Sequence, residues 1–172
     1  NEIDENLKQV VDSAIEVGDI KGKNGEVNFF YVNDHRYALI GLGEKENIDS
    51  NSIRLATGSA IRAAISKKAK TVTLDCFCPG LDSCQAMGEG AVLGSYQFLE
   101  YKTNHKNHFE IKEIEILGSN KEQLDKGVAI GKAICFARDL GNHPGNTSTP
   151  TFLAKAAEEI SSVEEMTLKV YD

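Results

Sequence analysis

Thr71–Cys78, TVTLDCFC, is the stretch that most narrows what this chain can fold into. Val72, Leu74, Cys76 and Cys78 alternate with Thr71, Thr73, Asp75 and Phe77, the period of a strand with one apolar face. On both sides the period changes. Before it, Ile53, Thr57, Ala60, Ile61, Ala64 and Ile65 recur at helical spacing over 50–67, with Asp49 or Ser50 as N-cap. After it, Pro79-Gly80 stops the strand, and Asp82 with Gln85 has the form of a capping box for a helix running to about Tyr101. A strand set between two helices of useful length calls for a sheet covered by helices.

The rest of the chain repeats the alternation. Leu7, Val10, Val11, Ala14 and Ile15 predict an amphipathic helix over 5–17, stopped by Gly18, and KGKNGE (Lys21–Glu26) is a Gly-punctuated turn. Val27–Val32 and Arg36–Leu42 read as strands of an antiparallel hairpin around Asn33-Asp34. The Gly90-x3-Gly94 pair predicts a close approach of its helix to a sheet. Glu113–Leu117 is another strand; its apolar parity breaks between Ile111 and Ile114, as a bulge or a later start would cause. Ser119 with Glu122 forms a second capping box, opening a helix to about Leu140. Asn142–Ser148 breaks it, Thr149-Pro150 starts a helix ending near Ser161, and Thr167–Tyr171 reads as a strand. The class predicted is α/β, a mixed sheet covered on both faces.

A chain of 172 residues buries about 70% of its unfolded surface, so a core forms without staples. Lys and Arg number 19 against 26 Asp and Glu, a net charge of −7, which argues against a protein that tracks phosphates. No apolar run is long enough to span a membrane. The four cysteines are too few for a disulfide scaffold and there is no secretory segment at the start, so they are expected as reduced thiols in a cytoplasmic protein. Cys76, Cys78 and Cys84 lie close in sequence, but C-x-C-x5-C is not a zinc spacing. The chain opens on Asn1 and is expected to be a fragment.

Chemistry is sparse. There is no P-loop, nucleophile elbow, HExxH or GxGxxG opening a helix. Gly41-Leu42-Gly43 follows a strand, but the charged KEN run after it is unlike a phosphate-cradling helix start. His105-x2-His108 has no carboxylate or cysteine spaced to complete a metal site, and two solvated loop histidines are the expectation. Glu113, Glu115, Glu158 and Glu159 read as solvated faces.

Three stretches in order carry a resemblance. They are KGKNGE (Lys21–Glu26), EGAVLGSYQFLEYK (Glu89–Lys102) and FARDLGNHPGNTSTPTF (Phe136–Phe152). Together they resemble the leucine (cytosol) aminopeptidases, the third being similar to that family's ARDL-N-x-P-x-N-x-x-TP signature. The third also has a local logic: Pro144 ends a helix, Gly145 relaxes the turn, Asn142 and Asn146 satisfy freed backbone groups, and Thr149-Pro150 presets the next start.

The resemblance implies a macro-like N-terminal domain over 1–118, its first strand missing, a linking helix over 119–140, and the truncated start of a catalytic domain over 141–172. In the family two divalent metals, Mn or Zn, polarise the scissile carbonyl and activate a water, releasing N-terminal amino acids from peptides. The ligand-rich segments, NTDAEGR among them, are expected beyond Asp172, so no catalytic, metal or cofactor residue is assigned to this chain. The resemblance further implies a cytoplasmic homo-oligomer, a hexamer. The alternative is a macro-like binding module for ADP-ribose or nucleic acid, or an oligomerisation or regulatory domain without catalysis; the acidic balance disfavours nucleic acid.

Overall fold

The computed structural model describes residues 5–76, 82–104, 108–163 and 166–171. Contacts divide the chain into two units, Asn1–Lys132 and Ala133–Asp172.

The first unit opens with α1 (Glu5–Glu16). Gly18, at φ +82°, lets its own N–H reach Ile15 O and the Asp19 N–H reach Ala14 O, both at 3.0 Å. Strands β1 (Val27–Val32) and β2 (His35–Ile40) pair antiparallel, Val32 opposite His35. Asn33 and Asp34 take positive φ of 49° and 60°, the two-residue turn whose twist suits a hairpin. Helix α2 (Ser50–Ser66) starts on a full capping box: Asp49 accepts the Ser52 N–H, and Ser52 Oγ accepts the Asp49 N–H, both at 2.7 Å. It ends as α1 does, but with Lys68 at φ 54° where glycine is favoured.

Then β3 (Thr71–Asp75), α3 (Ser83–Ser95) and β4 (Glu113–Leu117) form a β-α-β unit with parallel strands, Leu74 opposite Ile116. Among the described residues the strands make two two-stranded sheets, one of each sense, flanked by helices. The core joins Ile53 and Ile61 of α2, Leu74 of β3, and Ala86, Met87 and Ala91 of α3, with Val72, Ile114 and Ile116 packed against it. Thr57 is fully buried and satisfied, its hydroxyl donating to Ile53 O at 2.9 Å.

Helix α3 is clasped on two sides by backbone. A Cβ at Gly90 would stand 2.5 Å from Arg54 O, and one at Gly94 would stand 2.7 Å from Gly58 O, both on α2. On the other side, α4 (Lys121–Asn142) approaches so closely that a Cβ at Gly127 would meet Gln85 O. The close approach predicted for Gly90 and Gly94 is therefore real, but its partner is a helix, not a sheet.

Other expectations change at their ends. The Asp82–Gln85 capping box is absent because Gln85 Nε2 donates to Glu89 Oε1 at 2.9 Å instead. The same helix stops at Ser95, well short of Tyr101: Tyr96 turns extended, and Gln97 Nε2 donates to Phe109 O at 3.1 Å. The second capping box is also replaced. Ser119 Oγ donates back to Ile116 O, and Asn120 Oδ1 accepts the Gln123 N–H at 3.1 Å, which makes Asn120 the cap. The parity break before Ile114 is a later start, since β4 begins at Glu113.

In the second unit α4 ends at Asn142 and α5 (Pro150–Val163) follows a compact turn. Thr149 caps α5, its Oγ1 accepting the Phe152 N–H at 3.2 Å. Residues 166–171 are in no ladder, so the strand predicted over Thr167–Tyr171 is not formed. Its apolar alternation is intact, but a strand exists only by pairing.

Candidate functional site

The three stretches that carry the resemblance each become a structural joint. KGKNGE folds against Gly41-Leu42-Gly43: the Gly41 N–H donates to Glu26 O at 2.8 Å, the Gly43 N–H to Gly22 O at 2.9 Å, and the Gly25 N–H to Gly41 O at 2.9 Å. A Cβ at Gly41 would overlap Lys23 O, so the approach needs glycine. Glu26 then locks the loop. Its carboxylate accepts the Lys21 N–H at 3.2 Å, the Lys23 N–H at 3.0 Å and the Asn28 amide at 3.1 Å. Those donors, the Asn28 amide first, hold its pKa below the ordinary glutamate value.

A cleft of about 460 Å³ lies beside this joint, bounded by Ile15, Ile20, Leu39, Ile40 and Leu42 on its apolar side and by Glu26 and Asn28 on its polar side. The glycine amides that a phosphate would need, at Gly41 and Gly43, are already bonded to loop carbonyls. A carboxylate filled by its own loop and kept ionised is an anchor, not an acid or base.

The second stretch begins with Glu89, 4% exposed on an otherwise small and apolar helix face. It accepts from Arg54 Nε at 2.5 Å and from the Gln85 amide at 2.9 Å, while Arg54 Nη1 donates to Asn51 Oδ1 at 3.2 Å. This network crosses from α2 to α3 beside the glycine contact. Sequence reading missed it; the available signal was a lone carboxylate among Gly, Ala and Met, which demands a partner once buried.

The third stretch is the turn between α4 and α5. The carbonyl freed at Leu140 is taken by Ser148 Oγ at 3.0 Å, and Pro144 O accepts the N–H groups of Thr147 and Ser148. His143 stands edge-on to Phe152 with ring centroids 5.2 Å apart. Gly145 has no left-handed φ, and a Cβ added there would meet nothing within 4 Å, so nothing local requires glycine.

Among the described residues the histidines do not converge. His108 pairs with Glu110 at 2.9 Å and meets Gln97, His35 bonds Asn33 O at 2.7 Å, and His105 lies outside the described residues, as does Cys78. Among the described residues no three His, Cys, Asp or Glu side chains gather as a metal donor set. Nor is any helix among them long and apolar enough to cross a membrane.

Comparison with known proteins gives the family. Residues 1–105 match the family model described as the cytosol aminopeptidase family, N-terminal domain. A probable cytosol aminopeptidase of Protochlamydia amoebophila is 33% identical over 90% of this chain and 34% of its own length. One from Alkaliphilus metalliredigens is 31% identical over 99% of this chain and 38% of its own. The chain thus spans about a third of the length of these relatives. Among solved structures, a mutant of tomato leucine aminopeptidase superposes with a TM-score of 0.76 at 26% identity, over 93% of this chain and 34% of that one. The bottromycin maturation enzyme BotP, solved also in complex with Mn, shares the fold at a TM-score of 0.79 and 24% identity, over 100% of this chain and 37% of that one. This chain belongs to the cytosol aminopeptidase family, whose N-terminal domain it carries in residues 1–105.

Proposed function

We propose that this chain is the non-catalytic N-terminal portion of a metal-dependent leucyl aminopeptidase that releases N-terminal amino acids from peptides. The observation that carries the reading is the pairing of a family match over 1–105 with relatives aligned along 99% of the chain but only 38% of their own length. Residues 1–118 act as a macro-like domain, 119–140 as the linking helix, and 141–172 as the entry to a catalytic domain. The Mn-bound BotP structure supports manganese as a metal, with zinc as the other candidate. Both ions belong to residues outside this chain, and no step of catalysis is assigned to its own side chains. A cytoplasmic homo-oligomer, hexameric as the resemblance implies, completes the proposal.

The purified chain is expected to hydrolyse no leucyl substrate with or without Mn²⁺ or Zn²⁺. Metal-dependent turnover that tracks the protein through a last purification step would overturn this. Titration with ADP-ribose, and with duplex DNA at stated salt, is expected to give no saturable binding. The bonded state of the Gly41 and Gly43 amides supports that expectation. Saturable binding of either ligand would favour the binding-module reading instead.

A further inference from the structure

We propose that Cys76 and Cys84 are an oxidisable pair, a modification site that closes to an intramolecular disulfide on meeting a low-molecular-weight disulfide. Cys76 directly follows β3 and extends its ladder, its N–H donating to Leu117 O at 2.9 Å. Cys84 stands in the first turn of α3. Their sulfurs are 3.2 Å apart, with Ser83 Oγ 3.7 Å from Cys76 Sγ. The Asn120 N–H, at the start of α4, donates to Cys84 Sγ at 3.3 Å, so that sulfur is held from a third element. A disulfide bond is about 2.05 Å long, which leaves little more than an ångström for side-chain rotation to close. Both cysteines are half-buried, close enough to the surface for a small reagent.

The chemistry is two exchanges in sequence. One cysteine thiolate attacks a sulfur of the reagent, forming a mixed disulfide and expelling one reagent thiolate. The second cysteine thiolate then attacks the protein sulfur, forming the Cys76–Cys84 bond and expelling the other reagent thiolate. The two cysteines lose two electrons, the reagent gains them, and the two cysteine protons pass to the two released thiols. Because the sulfurs already touch, the second step is intramolecular and outruns accumulation of the mixed disulfide. Cys135 has no such neighbour among the described residues, and burial pushes its thiol pKa up.

The test exposes the fully reduced 172-residue chain to glutathione disulfide under native conditions, then blocks remaining thiols in denaturant and maps the peptides by mass. The expected result is one Cys76–Cys84 link, reversed by dithiothreitol, forming at least about tenfold faster than a glutathione adduct on Cys135. Cys84→Ser is expected to hold glutathione on Cys76 without an intramolecular link, and Cys78→Ser to close at the unaltered rate. A link through Cys78 or Cys135, a link between chains, or adducts on every cysteine with no link would each overturn the proposal. If a variant fails to fold, the peptide map of the unaltered chain decides the matter alone.

Discussion

Replacing Gly90 by alanine tests whether the α2–α3 contact is what fixes the first unit. The added Cβ would stand 2.5 Å from Arg54 O and 2.8 Å from the Thr57 side chain. Reaching the 3.4 Å of ordinary contact requires the two helix backbones to part by about 0.9 Å. A gap of that size forfeits roughly a quarter to a half of the dispersion between facing atoms. It opens across Ile53, Ile61, Met87 and Ala91, the buried centre of the unit. Overpacking of this kind costs about 1–3 kcal/mol, and an obstructing backbone carbonyl puts Gly90→Ala at the upper end. Alanine in a helix interior returns about 1 kcal/mol over glycine. The net expectation is a loss of about 2 kcal/mol, roughly a thirtyfold drop in the folding constant. Gly141→Ala is the control, because a Cβ there meets nothing within 4 Å; it is expected to be neutral or to stabilise by up to about 1 kcal/mol. Urea unfolding followed by far-UV circular dichroism suits a chain with no tryptophan, and hydrogen exchange at Leu74 and Ile116 assigns the loss to the first unit. A Gly90→Ala chain as stable as the parent, or one destabilised no more than Gly141→Ala, would refute the reasoning.

Three other changes follow from the geometry. Lys68→Gly relieves a left-handed non-glycine residue at the end of α2 and is expected to stabilise by about 1 kcal/mol, read as a rise in thermal midpoint. Glu89→Ala strips the acceptor from Arg54 and Gln85 and is expected to cost about 2–3 kcal/mol, with Glu89→Gln costing less because a carbonyl acceptor remains; urea midpoints of the two variants check the order. Glu26 has a lowered folded pKa, so its contribution is full above the unfolded glutamate value and is lost as pH falls through the folded one. The Lys21 and Lys23 amides should therefore lose protection in that acid range, beyond the intrinsic exchange trend, and Glu26→Gln should remove the step.

The elements themselves were legible because their signals are local. Period-two alternation placed β3, helical spacing placed α2, Asn33-Asp34 placed the hairpin turn, and Thr149-Pro150 placed the start of α5. The failures lie where a side chain had two possible partners. Gln85 is at the right offset to serve Asp82, but a buried carboxylate one helical turn on outcompetes an exposed cap. Ser119 and Asn120 are both good caps, and only the β4 carbonyl at Ile116, which draws the serine hydroxyl away, decides between them. Gly90 and Gly94 announced a close approach without its partner, since an α-helix and a sheet ask the same smallness of a residue.

The side-chain meetings were harder to read because two of them join residues far apart in sequence or on separate elements, and the third is a convergence that no single residue announces. Arg54 and Glu89 are separated by 35 positions, and nothing in either segment names the other. Cys76 and Cys84 are near in sequence, but their sulfurs meet only because β3 and the first turn of α3 face each other across the crossover. Glu26 looked like one more charged turn residue, whereas its role comes from three donors converging on one carboxylate. The ordered motifs carried the resemblance as a set of residue types in fixed order along the chain. The first two joints hold backbone against backbone: glycine where carbonyls press close, and a carboxylate that gathers the amides of its own loop.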